Sequence, residues 1–311
     1  MFSVLFPGQG SQSVGMAKNL YENFGYIKSL FEQADDILKN SLSKMILEGP
    51  KEVLDQTENT QPAIFLTSYA IFKVIKNETS FNINSAKFFS GHSLGEYSAL
   101  ACSESISFEQ TIKLLQIRGR SMQSAVPKGE GGMLAVLGIE INSLKEIINL
   151  NKDNFKCYVA NDNSVGQIVV SGKIWDIRLL SEELKKKNIR NINLPVSAPF
   201  HCELMKKATE VMKTEINNSE FKKPIVEIIS NVTAKPENAP NKIKELLIDQ
   251  IEKPVRWREI VEFMLQSGII KFIEIGPGKV LSGLVKRIND KVLTKSINTI
   301  DDVKNLKWLI W

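Results

Sequence analysis

The chain has 311 residues, of which 43% are hydrophobic and 24% are charged, and its formal net charge is +5. A chain of this length can bury a full-sized core without disulfides or bound metals to stabilise it, in one large α/β domain or in two smaller ones. The lysines are spread along the sequence and no apolar run reaches the roughly 20 residues of a membrane span, so neither a nucleic-acid partner nor a membrane is indicated.

Strands and helices are predicted to alternate along the first third of the chain. FSVLF (2–6) is predicted as a buried strand ending in the glycine loop PGQGSQ, and AKFFS (86–90) as a second strand running into a glycine. Helical patterns occur at 14–24, 26–39, 61–76, 94–101 and 108–123, whereas 77–85 has a loop-like composition. The order strand, glycine turn, helix is typical of a parallel α/β sheet.

The segment 127–196 has a different order of predicted elements. Its strands are expected at 133–137, 155–160, 167–171 and 189–194, and its helices at 142–150 and 174–187. This β-α-β-β-α-β order is the ferredoxin-like motif. We therefore predict a small subdomain, 127–196, inserted into a larger domain made of 1–126 and 197–311, with the ligand site in the cleft between them.

Two further strands are predicted late in the chain, VEIIS (226–230) and IKFIEIG (270–276). The second opens into GPGKVLSGLVKRI, which has the pattern of another strand-to-helix turn. The main sheet is therefore expected to collect strands from both ends of the chain.

The cysteines and the first residues bear on the cellular compartment. The three cysteines, Cys102, Cys157 and Cys202, are an odd number without a CxxC pair, so neither a disulfide framework nor a zinc site is indicated. The opening MFSVLFPGQG has no basic leader and meets proline and glycine too soon for a signal peptide. These features favour a reducing, cytoplasmic environment.

A G-x-S-x-G pattern occurs in GHSLG (91–95). The pattern alone is weak, because chance supplies it in about a tenth of chains of this length. Here it follows an apolar strand and opens a helix, as the tight turn of a nucleophile elbow does. Ser93 is therefore favoured as a nucleophile over a simple turn serine.

A serine nucleophile needs a base, and the chain has only two histidines. His92 adjoins Ser93, and because adjacent side chains diverge on an elbow, we expect His92 to pack beside the turn. His201 follows the last predicted strand of 127–196, where two prolines break regular structure. It is the candidate base, and a capping or core histidine is the alternative.

The usual third member of a triad is not evident. In α/β-hydrolases the acid lies between the serine and the histidine in sequence. Asp153, Asp162 and Asp176 fall there, but none ends a predicted strand of the main sheet. A backbone or amide carbonyl could orient the imidazole instead.

In the helix predicted at 108–123, Arg118 lies at the margin of the apolar stripe, whereas Arg120 lies on the solvent-facing polar side. A partly buried guanidinium needs an anion. That anion would be either a structural salt-bridge partner or a substrate carboxylate, which an arginine can hold through two hydrogen bonds.

Six segments match one family in the right order: FPGQGSQ (6–12), GHSLGEYSAL (91–100), QIRGRSMQ (116–123), SAPFHC (197–202), LIDQIEKPVRW (247–257) and EIGPGKVLSGL (274–284). Together they resemble the malonyl-CoA:acyl carrier protein transacylases of type II fatty acid synthesis, over about residues 2 to 290. The resemblance implies an α/β-hydrolase-like large domain with a mostly parallel sheet and an inserted ferredoxin-like small one.

The resemblance also implies roles for the catalytic residues. Ser93 corresponds to the acylated nucleophile and His201 to its general base. Gln250 corresponds to a glutamine whose backbone carbonyl orients that histidine, which leaves the adjacent Asp249 as a bystander.

The residues that meet the substrate follow in the same way. Arg118 corresponds to the arginine that holds the malonyl carboxylate, and Gln9 and Leu94 to the two backbone N–H donors of the oxyanion hole. Relatives carry either serine or phenylalanine at the position of Phe200, so this residue leaves selectivity for the acyl group open.

The activity that the resemblance implies is transfer of malonyl from malonyl-CoA to the phosphopantetheine thiol of acyl carrier protein, supplying extender units for fatty acid synthesis. A malonyl-serine intermediate would make the reaction ping-pong. We expect no metal and no cofactor, because the thioester is already activated, and we expect a monomer. A serine esterase or thioesterase, and a non-catalytic carrier-binding protein, are the alternatives.

Overall fold

The protein is described here by a computed structural model covering residues 1–196 and 198–306. Its first part contains two strands and seven helices: β1 (Phe2–Phe6), α1 (Lys18–Asn23), α2 (Gly25–Leu38), α3 (Leu42–Glu48), α4 (Lys51–Leu54), α5 (Thr57–Glu78), β2 (Phe88–Gly91), α6 (Leu94–Cys102) and α7 (Phe108–Ser124).

The middle part contains β3 (Gly131–Leu137), α8 (Ile141–Leu150), β4 (Cys157–Ser164), β5 (Gln167–Lys173), α9 (Ile174–Lys186) and β6 (Asn191–Asn193). The last part contains α10 (Lys206–Asn218), β7 (Glu227–Ile229), β8 (Pro236–Glu237), α11 (Pro240–Asp249), α12 (Trp257–Gln266), β9 (Lys271–Ile275), α13 (Val280–Ile288), β10 (Leu293–Ile297) and α14 (Ile300–Lys304).

The larger sheet has six strands in the order β10-β9-β1-β2-β7-β8. Its pairs are parallel except for β7 with β8. β1 and β2 are almost entirely buried, as expected for parallel strands covered by helices on both faces. β1 pairs with β2 on one side and with β9, from the last part of the chain, on the other, which confirms the prediction that this sheet draws on both ends of the sequence.

The smaller sheet has four antiparallel strands in the order β4-β5-β3-β6. Its core joins alternate residues of β3 and β5, such as Leu134 and Val170, to apolar residues of α8 and α9 such as Leu144 and Leu180. Intervening residues such as Met133 and Val169 point to the other face and pack in the core that includes β1, so both faces of the small sheet are buried.

The strand β4 also binds the chain that precedes α12. The backbone N–H of Asp162 donates to Val255 O and that of Val255 donates to Ala160 O, both at 2.9 Å. The buried Asp162 carboxylate lies 2.9 Å from Nη2 of Arg258 in α12. These contacts attach the β4 edge of the small sheet to α12 and to the segment that precedes it.

Several element boundaries differ from the sequence predictions. The helix predicted from residue 14 begins at Lys18, and the one predicted from residue 61 begins at Thr57. The second helix was predicted too late because residues 57–61 are polar and carry no apolar periodicity, although α5 begins there and continues through Pro62. The predicted strand 155–160 lies at 157–164, and 189–194 shortens to three residues.

The sequence prediction also missed whole elements. Neither β10 nor the helix α12 was predicted, although β10 is a strand of the larger sheet and α12 packs against that sheet. β10 is an edge strand whose residues are mostly half-buried, so it lacks the apolar run that marked β1. The chain is thus an α/β protein with a mostly parallel sheet, as predicted at that level.

Candidate active site

The turn between β2 and α6 places Ser93 in a strained conformation, with φ 54° and ψ −109°. A Cβ atom on Gly95 would lie 2.2 Å from the carbonyl oxygen of Phe6, and one on Gly91 would lie 2.0 Å from the backbone of Gly95. Both flanking positions therefore require glycine. This is the tight strand-to-helix turn that the G-x-S-x-G pattern predicts.

The structure brings Ser93, His201 and Gln250 together, although they lie far apart in the sequence. Ser93 Oγ lies 2.9 Å from His201 Nε2, and His201 Nδ1 lies 2.8 Å from the backbone oxygen of Gln250. A carbonyl oxygen only accepts hydrogen bonds, so Nδ1 carries the ring proton and Nε2 is left to accept one from the serine. The carbonyl thus occupies the position of the missing acid.

The surroundings of His201 keep its imidazole uncharged. Burial, followed by the positive charge of Arg118, lowers the pKa of His201 to about 3. A neutral imidazole is the form that can remove a proton from a hydroxyl. At neutral pH this histidine can therefore act as a base.

Arg118 is 1% exposed and points its guanidinium at the serine. Its Nη2 donates to Ser93 Oγ at 3.0 Å and to Gln250 Oε1 at 2.9 Å, and its Nη1 donates to Gln61 Oε1 at 2.8 Å. The ring of Tyr97 lies 5.6 Å from the guanidinium carbon. All three hydrogen-bond acceptors are uncharged, so the guanidinium is not held in a structural salt bridge by them. It presents a positive charge beside the serine.

A cavity of about 120 Å³ opens at these groups. Gln9 and Leu94 line it on the side of the large sheet, and Met133 and Asn161 line it from β3 and β4. The cavity therefore lies between the parts of the chain that carry the two sheets. All six residues proposed from the sequence, namely Ser93, His201, Gln250, Arg118, Gln9 and Leu94, line this cavity or bond directly to a group that does.

Asn231 and Gln61, which support the elbow and Arg118 respectively, were not predicted from the sequence. Asn231 Oδ1 accepts the backbone N–H of Ser93 at 2.7 Å, and Asn231 Nδ2 donates to the Gly91 oxygen at 2.8 Å. Asn231 directly follows the strand predicted at 226–230, and a polar residue at that end of a parallel strand was an available signal. Gln61 lies in the polar first residues of α5, TENTQ, so its polarity gave no signal that distinguished it from its neighbours.

His92 packs beside the turn, as predicted. Its Nε2 lies 2.9 Å from Asn163 Oδ1, and its ring lies 5.7 Å from that of Trp257. Burial lowers the pKa of His92 to about 4. Asp162, one of the acids considered from the sequence, is paired with Arg258 instead of a histidine.

In residues 1–196 and 198–306, no group of three or more His, Cys, Asp or Glu side chains is arranged to hold a metal ion. In the same ranges, no helix combines the length and the apolar character that crossing a membrane requires.

Comparison with known proteins identifies the family. The family model for the acyl transferase domain matches residues 4–304. The malonyl CoA-acyl carrier protein transacylase of Bacillus subtilis is 42% identical over 302 residues, covering 96% of this chain and 94% of that protein. The corresponding protein of Escherichia coli K12 is 36% identical over 298 residues, covering 96% of both chains.

Solved structures agree with the sequence matches. The crystal structure of an acyl-carrier-protein-S-malonyltransferase from Bartonella henselae has a TM-score of 0.96 and 41% identity and covers 99% of both chains. A malonyl-transacylase solved in complex with its type II polyketide acyl-carrier protein has a TM-score of 0.93 and 36% identity over 97% of both chains. The resemblance seen in the six sequence segments is confirmed, and the chain belongs to the acyl transferase family and is an acyltransferase.

Proposed function

We propose that the protein transfers a malonyl group from malonyl-CoA to the phosphopantetheine thiol of an acyl carrier protein, through a malonyl ester on Ser93. The observation that carries this proposal is the position of Arg118, whose Nη2 lies 3.0 Å from Ser93 Oγ. A buried guanidinium beside the nucleophile suits an acyl group that ends in a carboxylate, because its N–H groups can form two hydrogen bonds to the carboxylate. The names of the relatives in B. subtilis and E. coli support the same substrate and acceptor.

In the first half-reaction, His201 Nε2 removes the proton of Ser93 and the serine oxygen attacks the thioester carbonyl carbon. The backbone N–H groups of Gln9 and Leu94 are proposed to hold the resulting oxyanion, and both residues line the cavity. The tetrahedral intermediate then collapses, the C–S bond breaks, and His201 returns the proton to the sulfur of coenzyme A.

In the second half-reaction, the thiol of the carrier gives its proton to His201 and attacks the malonyl ester. Collapse breaks the bond to Ser93 Oγ, which regains the proton from His201. The carbonyl of Gln250 stabilises the imidazolium formed in each half, because it accepts the bond from Nδ1. None of these steps uses a metal or a cofactor, because the thioester is already an activated acyl donor.

The domain organisation also belongs to the proposal. We assign 1–126 and 197–311 to an α/β-hydrolase-like catalytic domain and 127–196 to a ferredoxin-like subdomain. The order of β3, α8, β4, β5, α9 and β6 and the antiparallel sheet they form support the second assignment. The protein is further proposed to act in the cytoplasm and to be a monomer. Size-exclusion chromatography with light scattering would test the oligomeric state.

A serine thioesterase is the competing function, and its product differs. The protein is incubated with malonyl-CoA and then with holo acyl carrier protein, and malonyl-carrier and free malonate are both quantified. We expect a malonyl adduct located on Ser93 by peptide mass, and malonyl-carrier as the main product. The Ser93→Ala variant and carrier without its phosphopantetheine arm are the controls. Free malonate as the main product would establish the thioesterase.

A further inference from the structure

Glu96 is a buried carboxylate that the proposed mechanism does not use. It lies in the first turn of α6, three residues after Ser93, and is 3% exposed. Its Oε2 accepts one hydrogen bond from Gln250 Nε2, at 2.7 Å, and another from the backbone N–H of Asn231, at 3.0 Å. A single oxygen therefore binds two residues that lie 135 and 154 residues further along the chain.

Both of these residues hold the reacting groups directly. Asn231 accepts the backbone N–H of Ser93 and so supports the elbow. Gln250 orients His201 through its backbone oxygen and accepts Arg118 Nη2 through Oε1. Glu96 is thus linked to Ser93 through Asn231, and to His201 and Arg118 through Gln250.

The chemistry of the Gln250 amide shows what the carboxylate does. An amide has a donor end and an acceptor end, whereas an ionised carboxylate only accepts and a guanidinium only donates. Nε2 donates to Glu96 Oε2 at 2.7 Å and to the Ser93 backbone oxygen at 3.1 Å, and Glu96 is the nearer acceptor. Oε1 is thereby left to accept from the guanidinium of Arg118. If the amide rotated by half a turn, its NH₂ group would face the N–H groups of Arg118.

The hydrogen bonds to Glu96 favour its ionised form, whereas its burial opposes it. Burial raises its pKa to about 7, and the bonds from Asn231 and Gln250 and the positive charge of Arg118 oppose that rise. The neighbouring Tyr97 also interacts with the Glu96 carboxyl, and burial raises the pKa of Tyr97 to about 12. A buried carboxylate is costly unless its oxygens are bonded, and these donors provide the bonds.

We propose that Glu96 is a positioning residue for acyl transfer: its carboxylate sets the direction of the Gln250 amide and, through that amide, the direction of Arg118. The inference rests on the proposed function, because it concerns how Arg118 meets the malonyl carboxylate. It predicts that losing Glu96 impairs transfer of malonyl more than transfer of an acyl group without a carboxylate.

The test compares two substitutions of Glu96 with one of another buried carboxylate. Glu96→Ala removes both bonds, whereas Glu96→Gln keeps an oxygen that can accept from Gln250 and Asn231. Glu274→Ala is the matched control, because Glu274 is fully buried but binds the N–H groups of Leu281 and Ser282 at the start of α13. For each variant, kcat/KM for acylation is measured with malonyl-CoA and with acetyl-CoA, together with the midpoint of thermal unfolding.

We expect Glu96→Ala to lose about 10- to 100-fold in kcat/KM with malonyl-CoA, and clearly less with acetyl-CoA. We expect Glu96→Gln to recover most of that loss, and Glu274→Ala to lower the unfolding midpoint without changing the ratio of the two substrates. Equal losses with both substrates in Glu96→Ala, or the same change of ratio in Glu274→Ala, would overturn the proposal.

A double variant tests whether Glu96 acts through Gln250. If it does, Glu96→Ala combined with Gln250→Ala loses no more activity than the more impaired single variant, whereas independent effects would multiply. If Glu96→Ala does not fold, the same cycle is run with Glu96→Leu. Failure of the wild-type protein to form the Ser93 adduct would refute the proposed function, whereas native selectivity of the Glu96 variants with that adduct intact would refute only this inference.

Discussion

Replacing Arg118 by alanine should remove most of the preference for a dicarboxylic acyl group. The guanidinium is buried, makes three hydrogen bonds, and lies within 3.0 Å of the nucleophilic oxygen. Removing one partner of a buried charge pair costs about 2 to 5 kcal/mol. At 1.4 kcal/mol for each factor of ten, this corresponds to a loss of about 30- to 4000-fold in kcat/KM for malonyl-CoA.

Acetyl-CoA provides the internal comparison, because its acyl group carries no carboxylate. We expect Arg118→Ala to change kcat/KM for acetyl-CoA far less, so that the ratio of the two substrates moves by at least tenfold. The assay follows release of coenzyme A, or malonyl-enzyme formation by rapid quench and intact mass. The loss of the bond to Ser93 affects both substrates and cancels in the ratio.

Arg120→Ala is the matched control, since Arg120 lies on the same helix but is exposed and pairs with Glu58. It should leave both substrates unchanged. Arg118→Lys keeps the charge but not the fork, and we expect it to recover only part of the malonyl activity. Equal losses with malonyl-CoA and acetyl-CoA in Arg118→Ala would refute the assignment of Arg118 to the malonyl carboxylate.

Three further predictions concern the base, the second histidine and the elbow. His201→Ala should slow acylation by several orders of magnitude with its unfolding midpoint retained, and a native burst of coenzyme A would contradict its role as base. Because the buried His92 has a pKa of about 4, the unfolded chain binds a proton below about pH 6.5 that the native chain does not. As the pH is lowered from 6 to 5, the free energy of unfolding of the wild type should therefore fall relative to that of His92→Gln, by up to about 1.4 kcal/mol per pH unit. Urea titrations of both proteins measure this difference, and a difference that stays constant with pH would refute the prediction. In Gly95→Ala the new Cβ would lie 2.2 Å from a carbonyl oxygen, so this variant should lower the free energy of unfolding by at least about 1 to 3 kcal/mol. Gly25→Ala is the control, because its Cβ would have no heavy atom within 4 Å and should leave the stability unchanged. Equal urea midpoints of unfolding in the two variants would contradict the steric argument.

The sequence by itself determined the local features. The glycines around Ser93 are visible in sequence because a tight strand-to-helix turn has no room for a Cβ atom at either flank. β1, β2 and the strand β9 were predicted because buried parallel strands form continuous apolar runs. The same reasoning failed for β10, whose mostly half-buried residues form no such run. The start of α5 was misplaced because its first residues are polar and show no apolar periodicity.

The family resemblance supplied what local patterns could not. Periodicity placed Arg118 only at the margin of an apolar stripe and left its partner open, and no acid could be found for His201. The six ordered segments pointed to Gln250, and the structure has its carbonyl oxygen 2.8 Å from the histidine. A backbone carbonyl has no residue type of its own, so neither spacing nor composition could have identified it.

Only the tertiary structure decided how the site is assembled. Ser93 and His201 are 108 residues apart, and Glu96 is 154 residues from Gln250. The strand order that brings β2 beside β7 places Asn231 under the elbow, where its amide binds the backbone of Ser93. Such contacts depend on which strands are neighbours, and each residue alone is an ordinary polar side chain. Hydrogen bonds between buried groups act over about 3 Å, so they exist only once packing has fixed both partners.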